Sequence, residues 1–190
     1  MHALSEMIAL DMKWTRTRWL DDGEDYALLY GEELVAQAEA RWQRLVRYDL
    51  TLWSGEGCFQ AHMNLADPGR QSVVSNYGSN QSLGTFLLGS EGEITAKGIV
   101  QMADTRRLEW EPTHPLSLEY VIRPIEGGDP LIKMIGVPDA SIGGNPGYMN
   151  IGLGLGGDAS MPALVALCFA LTNEQGKLLH RLLQHDKPRV

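Results

Sequence analysis

The chain has 190 residues, of which 44% are hydrophobic and 21% charged, with a net charge of −8. That length suits one domain able to bury about 70% of the surface its unfolded form exposes. The acidic balance repels phosphate backbones and anionic lipid headgroups, which argues against nucleic acid and allows at most a peripheral membrane contact.

Residues 1–13 carry Glu6 and Asp11 and lack a basic start followed by an apolar core, so they do not read as a signal peptide. They form a flexible or peripheral N-terminal segment of a single domain, residues 1–190. From Tyr26 onward the chain falls into short segments bounded by Gly, Pro, Asn and Asp. Tyr26–Tyr30 is apolar and precedes a Gly-Glu-Glu turn. Leu34–Trp42 places Leu34, Ala36, Ala38, Ala40 and Trp42 at a period of two, which assigns a strand, although its Ala, Glu and Gln would tolerate a helix. In Leu45–Trp53, Val46, Tyr48, Leu50 and Leu52 share one face and Arg47, Asp49 and Thr51 the other. With the Ser54-Gly55-Glu56-Gly57 turn and Cys58–Asn64, this predicts a hairpin. Leu83–Leu88, Glu93–Gln101, Thr105–Glu111, Leu116–Arg123, Leu131–Gly136 and Tyr148–Leu153 follow as further strands. Short strands repeating at about 8–12 residues indicate an antiparallel sandwich or barrel.

The final element is a helix, capped by Asp158 or Ser160, with Pro162 in its first turn where a missing N–H is harmless. Met161–Leu171 is apolar on every side. A helix lying on one sheet face needs only an apolar stripe. Leaving half of this one in water would cost about 1.5–3 kcal/mol for each large side chain. A closed wall of about 10–12 strands around it is therefore expected. Beyond Leu171 the chain turns polar and then amphipathic over Lys177–Leu183; either the helix leaves the barrel there or Gly176 breaks it.

A search for chemistry returns little. Gly152, Gly154 and Gly157 spell G-x-G-x-x-G between a strand and a helix, but no second parallel strand ending in an acid follows. These glycines read as a tightly packed approach to the core helix. His62, His114, His180 and His185 show no metal-ligand pairing, and Cys58 and Cys168 no ligand or nucleophile setting, so no metal, no cofactor and no catalytic residue is assigned. The unpaired cysteines fit a reducing, cytoplasmic setting. Lys13, Arg16 and Arg18, then Arg41, Arg44 and Arg47, then Arg106 and Arg107, read as strand-face charges and salt-bridge partners.

Several stretches resemble the tubby-like superfamily, which comprises the tubby C-terminal domain, the phospholipid scramblases and the LURP-one-related proteins. They are Tyr26–Arg41 running into Tyr48–Trp53, Gly92–Gly98 leading to Arg106–Trp110, and the Ala163–Leu171 helix. The resemblance covers about residues 14–183 and implies a barrel of about twelve strands around the last helix. It also implies roles at membranes, through phosphoinositide recognition or a calcium-associated segment, but the chain has no cluster of Lys and Arg suited to a headgroup. The expectation is a non-enzymatic module binding a small molecule, a lipid headgroup or a protein. Its contacts would lie at the barrel ends and the glycine-rich loops, at Gly143, Gly144, Asn145, Gly154, Gly156 and Gly157. The alternatives are an enzyme whose acid–base pair forms only in the fold, and a protein that assembles through a β edge or Lys177–Leu183.

Overall fold

A computed structural model describes residues 1–43, 47–64, 72–79, 81–88, 97–114, 117–136 and 147–185. Side chains are described for the same residues except 43, 64, 72, 88 and 175–185. Twelve strands run β1 Asp11–Leu20, β2 Gly23–Tyr30, β3 Glu33–Gln43, β4 Arg47–Ser54, β5 Gly57–Asn64, β6 Ser72–Asn76, β7 Ser82–Leu88, β8 Gly98–Met102, β9 Arg107–Pro112, β10 Glu119–Pro124, β11 Ile132–Ile135 and β12 Gly147–Ile151. Each pairs antiparallel with its sequence neighbours, and β1 closes the barrel on β12 in the register Asp11↔Asn150 to Trp14↔Gly147. Among the described residues every strand has a paired neighbour on both sides.

Alternation sets what each strand buries. In β4, Tyr48, Leu50 and Leu52 point into the core while Arg47, Asp49 and Thr51 stay on the outer side. Residues 34–42 are strand, paired with both β2 and β4; three inward alanines, Ala36, Ala38 and Ala40, keep the bore wide on this side. Two strands escape sequence reading. β1 lies wholly ahead of the first segment expected to be strand, and β6 is a short Ser-Val-Val-Ser-Asn run. Of the expected Glu93–Gln101 strand, β8 covers Gly98–Gln101, and residues 89–96 lie outside those described.

The helix α1, Met161–His185, enters after β12 and passes through the bore. All thirteen residues from Met161 to Asn173 are buried. Phe169 packs on Trp14 with ring centroids 4.1 Å apart and meets the edge of Tyr26 at 5.0 Å. The helix lies closest to β5, whose inward Ala61 permits the approach. It continues past Gly176 without a break. No described helix is long and apolar enough to cross a membrane, which leaves the barrel strands unaddressed.

At the proximal end, where the helix begins, Ser160 accepts the Leu164 N–H through its carbonyl (3.0 Å) and occupies the cap position. Asp158 accepts the Ser160 N–H (2.8 Å) and hydroxyl (2.7 Å). Arg106, on the β8–β9 turn, donates to both carboxylate oxygens of Asp158 and to the Ser160 hydroxyl (2.7 Å). This clamp ties the start of the helix to the wall. The N-terminal residues fold over the same end. Leu4 is fully buried, the Gly55 N–H donates to His2 O (2.9 Å), and the Ser5 N–H donates to Glu56 Oε1 (2.8 Å).

Candidate functional site

Of the six residues nominated from sequence, Gly143, Gly144 and Asn145 lie outside the described residues. Gly154 sits in a 3-10 turn, Leu153–Leu155, and Gly156 and Gly157 follow it; all three are exposed at the proximal end. The Leu155 and Gly156 N–H groups donate to Gly152 O and Leu153 O, each at 3.1 Å, so the loop uses these amides to hold itself. A Cβ on Gly152 would stand 2.4 Å from Pro130 O, which places that glycine where backbones cross closely. A phosphate cradle needs free N–H groups aimed outward. Here the following helix start is inserted into the core and the Leu155 and Gly156 amides are satisfied within the loop.

The distal end, where α1 leaves the bore, holds a buried polar cluster. Arg16 and Glu24 form an ion pair at 3.2 Å with side chains 3% and 1% exposed. Glu24 also accepts the Tyr26 hydroxyl, and Asn173 of α1 donates from Nδ2 to that hydroxyl (3.0 Å). The Arg16 guanidinium lies 4.9 Å from the centroid of the half-exposed Trp19 ring. Burial, reinforced by Glu24, pushes the Tyr26 hydroxyl far above its usual value, and burial and then the Glu174 charge do the same to Tyr48. Both phenols stay neutral at any ordinary pH. A register shift between Arg16 and Arg18 turns the exposed Arg18 outward while Arg16 stays inward across from Tyr26. The set links β1, β2 and α1 and fixes the depth of the helix. Its charges are too enclosed to meet a substrate.

This cluster escaped sequence reading, which paired Arg16 only with its chain neighbours. A usable signal exists: Met12, Trp14 and Arg16 alternate inward, and Asp21-Asp22-Gly23 forms a turn that folds Glu24 back alongside.

On the outer wall, cations are matched with acids across strands. Arg41 meets Asp25 at 2.8 Å and Glu39 at 3.1 Å, and Asp49 meets both Arg47 and His62 at 2.7 Å. Lys97 and Arg123 share Glu111, and Lys133 reaches Glu119 at 3.3 Å. Salt-bridge roles thus hold for Arg16, Arg41, Arg47 and Arg106; Arg44 lies outside the described residues.

The proximal rim is different in charge. Its turns carry Glu32 and Glu33 (β2–β3), Glu56 (β4–β5), Asp104 (β8–β9), and Glu126 and Asp129 (β10–β11). Glu6, Asp11 and Asp158 flank them. Among the described residues the turns at this end therefore carry mostly carboxylates, with Arg106 and Arg107 as the basic residues at the β8–β9 turn. Exposed apolar side chains stand among them: Tyr30 is 42% exposed, Tyr77 59%, Ile125 39% and Leu153 78%. Among the described residues no group of three or more His, Cys, Asp or Glu stands close enough to hold a metal ion. No family model, no curated protein and no solved structure matches the chain.

Proposed function

We propose that this chain is a non-enzymatic binding module of the tubby-like kind that works from its barrel ends, and that its principal face is the acidic proximal rim. The observation that carries this reading is the filled bore. Thirteen consecutive helix residues occupy the space in which an open barrel of this size would hold a ligand, so contacts with a partner fall on the rims. The rim's excess of carboxylates, with tyrosine and aliphatic side chains between them, suits a protein segment that presents Lys or Arg beside apolar residues. Phosphorylated lipid headgroups suit it less, because Arg41 and Arg47 on the outer wall and Arg106 at the rim are engaged with carboxylates.

Fluorescence anisotropy with a synthetic amphipathic Leu/Lys helix tests this reading, alongside co-sedimentation with phosphoinositide vesicles. The expected result is peptide binding that weakens about tenfold or more in the rim variant E32K/E126K, which is a loss of about 1.4 kcal/mol. Vesicle binding is expected to be absent. Equal peptide affinity in wild type and variant, or vesicle binding without peptide binding, overturns the reading.

A further inference from the structure

Resting on the reading of the proximal rim as a binding face, we propose that residues 2–8 form an exchangeable strap that occupies part of it in cis. The partner is a protein segment of the same apolar pattern, with Lys or Arg beside it, that displaces the strap. The first support is what the strap touches. His2 O accepts the Gly55 N–H at 2.9 Å, and the Ala9 N–H donates to Ile151 O at 2.8 Å. Between these points a 3-10 turn, Leu4–Glu6, leads Leu4 and then Met7 into the core while Ser5 and Glu6 stay exposed. The Glu56 carboxylate receives the Leu4 and Ser5 N–H groups, the second at 2.8 Å, and His2 Nε2 lies 3.1 Å from Glu33 Oε2. The strap is held by its main chain and by two buried side chains, which are the means by which a protein surface holds a peptide.

The second support is how the strap joins the barrel. It adds one isolated parallel bridge, Ile8↔Ile151, to a wall whose strands pair antiparallel. Its 3-10 turn has no side-chain cap. Ala9, where the strap meets β1, holds φ at +61°, a left-handed conformation that is costly for a residue with a Cβ. Releasing the strap relieves that strain. Short segments tied by few main-chain bonds open ahead of the global transition.

The third support is charge. Glu6 brings another carboxylate to a rim that already carries Glu32, Glu33 and Glu56, with His2 3.6 Å away as its counter-ion. Leu4, Met7 and Ile8 thus supply the apolar anchors of a good occupant, at i, i+3 and i+4, alongside a charge that the rim disfavours. A segment with the same anchors and a lysine at the position of Glu6 removes the conflict. Gly55 marks where strap and wall cross. A Cβ there would stand 2.7 Å from Ala3 N, 2.7 Å from His2 C and 2.8 Å from His2 O, so its three nearest neighbours are all strap atoms.

Fluorescence anisotropy on the full chain tests the proposal with two labelled peptides, residues 1–10 as they stand and the same sequence with Glu6→Lys. The proteins are wild type, L4D, which unseats the strap, and L4D/G55A, which also obstructs the crossing; each is checked by circular dichroism for a native spectrum. Wild type is expected to bind both peptides weakly, because the tethered strap competes at an effective concentration of about 1 mM. L4D is expected to bind about tenfold more tightly or better, with the Glu6→Lys peptide the tighter of the two, and L4D/G55A to lose this gain. A native L4D that binds no more tightly than wild type, or an L4D/G55A that binds as L4D does, overturns the proposal. Hydrogen exchange on wild type gives an independent reading, and decides the matter should L4D lose its native spectrum. The Ser5 and Ala9 amides are expected to exchange about 100-fold faster or more than those of Leu50 and Ile122 in the wall. Equal rates would mean that the strap opens only when the barrel unfolds, and overturn the proposal. If L4D shows no gain while the Leu/Lys peptide still binds and E32K/E126K weakens it, the rim reading stands and only the strap falls.

Discussion

The buried Arg16–Glu24 pair offers a demanding test of how the helix is held at depth. Glu24→Gln preserves the shape of the side chain and still accepts the Tyr26 hydroxyl through its amide oxygen, but it removes the charge facing a guanidinium only 3% exposed. Breaking a buried pair from one side costs about 3–5 kcal/mol, because the surviving ion loses a buried counter-charge in a low-dielectric setting. For a domain of this size that corresponds to a fall in Tm of about 6–20 °C. Arg16→Met removes the opposite partner and is expected to cost a similar amount. The double variant R16M/E24Q removes both members of the pair together and keeps the Tyr26–Asn173 link, so it is expected to lose less stability than the two single variants summed. Urea unfolding of all four proteins in one buffer gives the double-mutant cycle, with a coupling energy of about 2–3 kcal/mol expected for contacting groups. If the double variant instead loses the sum of the two singles, the pair acts as two independent side chains, and the account of the distal cluster as one connected lock is refuted.

Other consequences of the structure can be checked as simply. Leu167→Ala, in the middle of the enclosed helix, is expected to cost about 2.7–5 kcal/mol in urea unfolding, since a helix walled in on all sides cannot shift to fill the cavity. Gly98→Ala would set a Cβ 2.2 Å from Phe86 Cζ and 2.7 Å from Leu87 O, so a marked loss of stability is expected, partly restored by adding Phe86→Leu; the backbone contact keeps the restoration incomplete. Burial pushes Asp158 and Glu56 upward, but Arg106 and Ser160 outweigh it at Asp158, and the Leu4 and Ser5 N–H groups with the Ser54 hydroxyl outweigh it at Glu56. Both carboxyls therefore sit below their usual range in the folded chain. The stability they contribute is present above about pH 4–5 and is lost as pH falls through the folded values. In stability measured against pH, D158N should show a shallower acid limb than wild type; an unchanged limb would refute the clamp. Burial pushes the Cys168 thiol up to about 12, whereas Cys58 is only partly covered, so a thiol reagent is expected to label one cysteine in the native protein and both in urea.

The elements were legible wherever their physics is local. Pleat alternation marked β4 and resolved Leu34–Trp42 as strand despite its helix-forming composition, because cross-strand pairing on both sides outweighs intrinsic propensity. The all-round apolar run Met161–Leu171 predicted an enclosing wall, and the barrel closes around it. β6 was not legible, since five residues rich in serine carry almost no periodic signal. β1 was obscured because an inward arginine breaks its apolar alternation. The candidate site was scarcely legible at all. The six nominated residues rested on glycine content, which records backbone freedom and says nothing about what stands nearby.

What the sequence by itself determined was a set of strands, a helix needing burial from every side, and an acidic total. Only the tertiary structure decided that Asp11 pairs with Asn150, that Arg16 faces Glu24 and Tyr26 inside the wall, and that the carboxylates of several separate turns gather at one rim. The reason is range. Periodicity and turn chemistry act between residues a few positions apart, whereas closure and the alternation of strand direction bring turns from the whole chain to one end, where their charges add.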